Sequence, residues 1–366
     1  MLFRQNSFLP FRVTGTILAM LVGGAIQDKA ENGSAPPRNI APPPLSPVII
    51  SERPDAVQGY NVDPQQVRQM LNRALMTLTS TSDIGSAWKR LSITPQDVVG
   101  IKIATGGGPT LCTHMALIRA ICDGLQAAGV PRSRVIVWDK FQDRMIPAGY
   151  APRAATDTQP AYASIVPGNN YDPDVSYQNG IRGDLIWGDY QFNRSVSSYN
   201  FDPDRVLTQS FYTKFVTRIC TKIVNVPVLN FNEQFGIDAC LSNLSLGSVD
   251  NTRRFLGAPS YGDPWIDEIY DQSFIRRKVV VQILDALVAQ CAGGPAFNPQ
   301  YCQSFGAVYV GRDPVAIDAL ALPRLEKMRR ELNVRNLGNT STYLTSAAVL
   351  GLGTTDRRRI QFLRVR

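Results

Sequence analysis

The chain has 366 residues, 44% hydrophobic and 19% charged, which is enough apolar material for a full core in one large domain or two smaller ones. Its charge is mildly basic, with 38 Lys plus Arg against 30 Asp plus Glu and a formal net charge of +8. No basic run is interleaved with aromatics, which argues against nucleic acid as a partner; a solvated basic surface accounts for the excess.

The first residues read as an export signal. Arg4 and Arg12 flank a positive start, Val13 to Ile26 is apolar, and Gly23-Gly24-Ala25 supplies small residues near a cleavage point. The apolar run is short beside the about 20 residues a spanning helix needs. Residues 1–27 are therefore expected to be a signal peptide or an uncleaved anchor, with the protein periplasmic or extracellular. A membrane contact is expected only through such an anchor. No Arg-Arg pair precedes the run, so a twin-arginine signal is not supported. Residues 28–60 are polar and proline-rich (Pro36-Pro37, Pro42-Pro43-Pro44, Pro47) and read as an extended linker. The folded part is expected to start near Asp63-Pro64, where a cap, a first-turn proline and the spacing Val67, Met70, Leu71, Ala74, Leu75, Leu78 predict an amphipathic helix.

Val98 to Ala104 reads as a buried strand, and His114 to Ala128 as a helix ended by Gly129. Between them lies Thr105-Gly106-Gly107-Gly108-Pro109, a loop that lets a ligand approach the backbone closely. Thr113 is the expected N-cap, and the free amides and dipole of the helix start favour an anion. Arg134 to Lys140 reads as the next strand, completing a βαβ unit with parallel strands. Ligands bind beyond the carboxyl ends of strands in such sheets, where the glycine loop and Asp139 lie.

Residues 147–205 are rich in Gly, Pro, Asn, Tyr and Asp and read as an irregular insertion or a small antiparallel piece. Strand patterns return over 218–229, 278–287 and 307–311, with helical spacing over 237–246. Another helix opens at Asp313-Pro314. The alternation predicts an α/β fold with a mostly parallel sheet flanked by helices.

The glycine loop fits neither a dinucleotide fingerprint nor a P-loop. His114, the sole histidine, is a candidate base, metal ligand or phosphate donor, against the plainer role of lining the loop. Any metal site would need cysteine and carboxylate partners, with Cys112 nearest. Lys102 alternates with apolar strand residues and points either into the cleft or to solvent. Asp139 and Asp285 follow strand patterns and are candidates for ligand binding or proton transfer, or for caps and ion pairs. Asp313 reads as a helix cap, and Asp318 as facing cleft or solvent. One of Arg253 and Arg254 suits an anion clamp and the other packing. The six cysteines form no C-x-x-C; on export, Cys291–Cys302 is the cheapest local disulfide, and otherwise they are small buried hydrophobes.

The order of several motifs resembles the domain of unknown function 362 family. They are Gly100-Ile101-Lys102-Ile103 with the glycine loop and Thr113-His114; Asn225-Val226-Pro227-Val228-Leu229; Leu241-Ser242-Asn243-Leu244; Asn251-Thr252-Arg253-Arg254-Phe255; Leu284-Asp285-Ala286-Leu287 with Gly293-Gly294-Pro295; Asp313 to Asp318; and Ala347 to Gly353. The likeness runs over roughly Val98 to Gly353, apart from the insertion. Some members of that family carry iron–sulfur modules, but the ferredoxin cysteines are missing here. Where the family usually shows Lys-Asp-His this chain has Asn230-Phe231-Asn232, and where it tends to have Leu-Lys-Asn this chain has Leu241-Ser242-Asn243. The lost groups titrate or carry charge; Asn and Ser only exchange hydrogen bonds.

The expected site is thus a cleft at strand ends that binds a small anionic or polar molecule. Lys102, Gly106, Gly107, Gly108, Thr113, Asp139, Asn230, Asn243 and Arg253 are its candidate binding residues, and His114 and Asp285 its candidate proton carriers. No cofactor is identified. Two classes stay open: a binding protein that kept the fold and lost the chemistry, or a redox or metal-assisted enzyme using His114 and an Asp.

Overall fold

Short Val- and Ile-rich segments pair into one eight-stranded sheet in the computed structural model, which describes residues 45–165, 169–178, 209–256, 261–335 and 340–366. The signal or anchor expected over 1–27, residues 28–44 and residues 179–208 lie outside the described residues. The sheet strands are β1 (Ser46–Glu52), β2 (Val99–Ile103), β3 (Val135–Asp139), β4 (Ala161–Ser164), β5 (Lys222–Val226), β6 (Val279–Gln290), β7 (Cys302–Gly311) and β8 (Ile360–Val365). Their order is β8-β1-β7-β6-β5-β2-β3-β4. Only β7 runs antiparallel to its neighbours, β1 and β6; the other pairings are parallel. The fold is therefore α/β with a mixed, mostly parallel sheet.

The helices are α1 (Pro64–Thr79), α2 (Ile84–Arg90), α3 (Met115–Ala127), α4 (Gln142–Met145), α5 (Cys240–Ser245), α6 (Trp265–Tyr270), α7 (Ser273–Arg276), α8 (Pro314–Glu331) and α9 (Tyr343–Val349). The period-2 alternation of strands divides the core between the two sheet faces. Ile49, Val224 and Val310 pack with α1, α2 and α3. Val48, Ile223 and Tyr309 pack with α5, α6, α8 and α9. Asp63 caps α1 as expected, accepting from Gln65 N at 2.8 Å and Gln66 N at 3.2 Å. Asp313 caps α8 through Ala316 N at 2.8 Å and also accepts from Ser46 Oγ and Thr354 N. No helix of the described residues is long and apolar enough to cross a membrane.

Three expectations are corrected. The proline-rich stretch is not linker throughout, because β1 lies inside the sheet with Val48, Ile49 and Ile50 buried between β7 and β8. Pro47 stands near the strand start, where a missing N–H is tolerated. The 147–205 segment is not wholly an insertion, because β4 forms the edge of the main sheet beside β3. Tyr171–Gln178 does pair antiparallel with Gln209–Thr213. The disulfide is absent: all six cysteines are buried and unbridged, and Cys302 Sγ lies 3.0 Å from Gln290 Oε1.

Candidate functional site

Beyond Ile103 the chain leaves the sheet through the glycine loop, and Thr113 holds the neck of that loop. Its hydroxyl accepts from Ala104 N at 2.9 Å and donates to Val226 O at 2.6 Å, while its own N–H donates to Ala104 O at 2.8 Å. Thr113 is therefore a fully buried strut between the loop and the end of β5, not a cap and not a ligand residue. His114 occupies the N-cap position of α3 without a side-chain cap bond. A side chain at Gly107 would meet Leu111 O at 2.3 Å, so the loop can fold back only through glycine. Gly108 closes the turn onto Thr105 O and does not line the cavity described next.

A cavity of about 240 Å³ opens at the carboxyl ends of β2, β3 and β5. Lys102, Gly106, Gly107, Asp139, Asn230 and Asn243 line it, as the strand-end rule predicts. Sequence reasoning missed Thr105, Lys140, Arg144, Asp238 and Thr252, which line it too. Phe141, Phe235, Leu246, Leu256 and Pro295 supply apolar wall.

One buried polar chain organises the floor. Lys102 Nζ donates to Ile103 O at 2.7 Å, Asp139 Oδ1 at 2.8 Å and Asn243 Oδ1 at 2.8 Å, so its three N–H groups are all committed. Asp139 also accepts from Lys140 N at 2.7 Å and from the Thr105 amide and hydroxyl at 2.9 and 2.5 Å. Asn243 Nδ2 donates to Asn225 Oδ1, Asn225 Nδ2 to Gln282 Oε1, and Gln282 Nε2 to the Tyr270 hydroxyl. The chain thus runs from the cavity through β5 and β6 to α6. Gly247 makes room for the ammonium, since a Cβ there would stand 2.7 Å from Lys102 Cε and 2.9 Å from Nζ.

Arg144, Asn230 and Asn232 are less committed. Arg144 is exposed and stacks on Phe141 with 4.5 Å between guanidinium and ring centre, and its guanidinium makes no hydrogen bond among the described residues. Its Nη1 lies 3.8 Å from where a Cβ on Gly106 would sit. Asn230 and Asn232 use their carbonyl oxygens on Phe231 N and Gln234 N, which leaves both Nδ2 groups uncommitted. Asp238 accepts from Ser242 Oγ at 2.5 Å; burial raises its pKa above the usual carboxylate range, and Lys102 and the Ser242 hydroxyl oppose that rise. Burial likewise lowers Lys140 to about 7, opposed by the charge of Asp250. Lys140 Nζ reaches Thr252 Oγ1 at 3.3 Å.

His114 and Asp285 come together, but away from the cavity lining. Asp285 sits inside the long β6 rather than at its end, because β6 continues to Gln290. Its Oδ2 accepts from His114 N at 2.8 Å and lies 2.9 Å from Nδ1. His114 is buried, and its Nε2 has no hydrogen-bond partner among the described residues. Cys112 is buried, with its Sγ 3.6 Å from Pro109 O and its thiol pushed up to about 12 by burial. No group of three His, Cys, Asp or Glu among the described residues is arranged to hold a metal. Asp318 faces neither cleft nor solvent; it caps α5 through Cys240 N and Leu241 N, and burial pushes it up to about 7. Arg254 packs inside, bonded to Ser210 Oγ and Tyr177 O. The side chain of Arg253 lies outside the described residues.

Residues 191–323 match the family model "Domain of unknown function (DUF362)". The match bears out the resemblance over five of the motifs, from Asn225-Val226-Pro227 to Asp313-Asp318; the glycine loop and Ala347 to Gly353 lie outside it. Three positions that depart from the family's usual residues, Asn230, Asn232 and Ser242, line the cavity, whereas Phe231 is buried. Comparison with curated proteins finds no match. Among solved structures, the chain is similar to a crystal structure of a Thermotoga maritima protein, a structural genomics target, with 9% identity and a TM-score of 0.40. The alignment covers 76% of this chain and 60% of that one, so this chain spans less than two thirds of its length.

Proposed function

We propose that this protein binds a small anionic molecule with a polar body in the strand-end cavity. The observation that carries this reading is an excess of uncommitted donors. The Arg144 guanidinium, the Gly106 amide and the Nδ2 groups of Asn230 and Asn232 border the cavity without partners among the described residues. The Lys102 charge is already neutralised by Asp139, so Arg144 rather than Lys102 meets the anion. Asn and Ser stand where the family usually has titrating groups, which favours binding over proton transfer. The apolar run behind Arg4 and Arg12 supports an exported location for this binding.

Thermal denaturation and calorimetry with citrate and with sulfate test the reading. At least one anion is expected to raise Tm saturably. Arg144→Ala is expected to weaken that anion by about tenfold or more, in line with one charge-assisted contact. Asn230→Asp, which replaces a donor with a charge of the wrong sign, is expected to weaken it further. No saturable anion binding, or binding indifferent to both substitutions, overturns the proposal.

A second reading, an enzyme with His114 as proton carrier, has one observation in its favour. Asp285 orients the ring through Nδ1 and leaves Nε2 buried and unpartnered. His114 does not line the cavity, so binding is the reading preferred here. Turnover of a bound ligand that disappears in His114→Gln while binding persists would reverse that preference.

A further inference from the structure

A second cavity, of about 300 Å³, lies against one face of α3. Met115, Ile118, Arg119 and Cys122 reach it at the i, i+3, i+4, i+7 spacing of a helix face. Arg132 after α3 and Arg153 before β4 complete the lining, which contains three guanidinium groups and no carboxylate.

Two of these groups are clamped. Arg153 stacks on Tyr162 with 3.8 Å to the ring centre, donates through Nε to Pro160 O at 3.1 Å, and holds Gln159 through Nη1. Arg132 donates through Nε to Gln126 Oε1 at 3.0 Å and pairs with Asp123 through Nη2. That leaves Nη2 of Arg153, while Arg132 also faces the Cys122 thiol. Arg119 is exposed and its guanidinium makes no hydrogen bond among the described residues, so its whole fork is open. Asp123 lies outside the lining and also pairs with Arg68, so it offsets at most one of the three charges. Tyr162 places the three together: burial raises its phenol, and Arg153, Arg119 and Arg132 all act against that rise.

We propose that this cavity binds a dianionic phosphate group, either free or on a small monoester. Two or more uncompensated guanidinium charges match a dianion better than a monocarboxylate, and the planar forks match paired oxyanion oxygens. The clamps fix two forks in advance, which lowers the ordering cost of binding. The volume limits the ligand to a small molecule. This inference is independent of the strand-end cavity.

Calorimetry of the full chain in low salt with inorganic phosphate, and with glycerol 3-phosphate as a monoester, tests it. Saturable binding is expected, weakened about tenfold or more by Arg119→Ala and by Arg153→Ala. Arg119 has no partner to lose, so its substitution reads the site even if Arg153→Ala disturbs folding. Arg357→Ala, which removes equal charge elsewhere, is expected to leave affinity unchanged. Tighter binding of glycerol 3-phosphate assigns a monoester, and tighter binding of inorganic phosphate assigns the free ion. Absence of saturable binding, equal weakening by Arg357→Ala, or loss on Arg144→Ala in place of Arg119→Ala overturns the proposal.

Discussion

The floor of the strand-end cavity and the cavity against α3 treat positive charge in opposite ways. At the strand ends, Lys102 is buried and every ammonium proton has an acceptor, Asp139 among them. Against α3, Arg119, Arg132 and Arg153 share a cavity whose lining holds no carboxylate, and part of their donor capacity is open. The physical reason is desolvation. A charge taken out of water must be paired or it is intolerable, whereas a charge that keeps contact with solvent can wait for a ligand. The difference separates charges that hold structure from charges that recruit a partner.

The largest expected effect follows from the buried charge. Lys102→Met leaves the largely buried Asp139 without its cation and is expected to cost roughly 3–5 kcal/mol in urea denaturation. Lys102→Met combined with Asp139→Asn is expected to recover part of that loss, because no lone charge remains. A cost below about 1 kcal/mol for the single variant would erase the contrast between the cavities. Next comes Gly247→Ala, which drives a methyl group into Lys102 Cε and Nζ. Overpacking of this kind costs about 1–3 kcal/mol. A structure of that variant should show Lys102 displaced from Asn243.

How far the chain could be read in advance depended on the range of the interactions. The segments β2, α3, β3, α1 and the Asp313 cap carry local periodicity and cap chemistry, and they stand close to where those signals put them. β1 was hidden because Val48-Ile49-Ile50 sits among prolines and gains its meaning only from β7 and β8, at the far end of the chain. β4 was hidden because Ala161–Ser164 is short and follows a turn-rich stretch. Within the site, strand-end logic reached Lys102, Gly106, Gly107, Asp139, Asn230 and Asn243. Arg144 and Asp238 had no such signal, since a four-residue helix and a three-residue hairpin strand carry them. Nor could spacing show that Thr113 would be consumed as a strut, or that His114 and Asp285 would meet away from the cavity.

A pH series sharpens the comparison at intermediate size, with sulfate as a probe whose charge stays constant. Lys140, lowered by burial and paired with the buried Asp250, loses positive charge as pH rises. Asp250, raised by burial and opposed by the charge of Lys140, gains negative charge beside that lysine over the same rise. Both changes act in one direction, so affinity at the strand-end cavity is expected to fall by up to about tenfold, or ~1.4 kcal/mol, between pH 6 and 8. Sulfate binding against α3, where arginine supplies the recognition chemistry, is expected to stay level. Calorimetry on Arg119→Ala isolates the first curve, and on Arg144→Ala the second. Two curves of the same shape would mean that Lys140 and Asp250 do not set the field of the strand-end cavity.

The smallest expected effect completes the contrast. Arg119→Ala removes a guanidinium that has no hydrogen bond among the described residues, and it also relieves repulsion from Arg132 and Arg153. Stability in plain buffer is therefore expected to stay within about 0.5 kcal/mol of the parent, as for surface changes away from structural features. Phosphate makes the variant distinguishable. At a hundredfold excess over Kd, a ligand bound only by the native state adds ~2.7 kcal/mol, and Arg119→Ala should forfeit most of that gain. Urea denaturation with and without phosphate reads both quantities on one sample. A loss above about 1 kcal/mol without phosphate would make Arg119 a structural charge like Lys102, and the two cavities would no longer differ in kind.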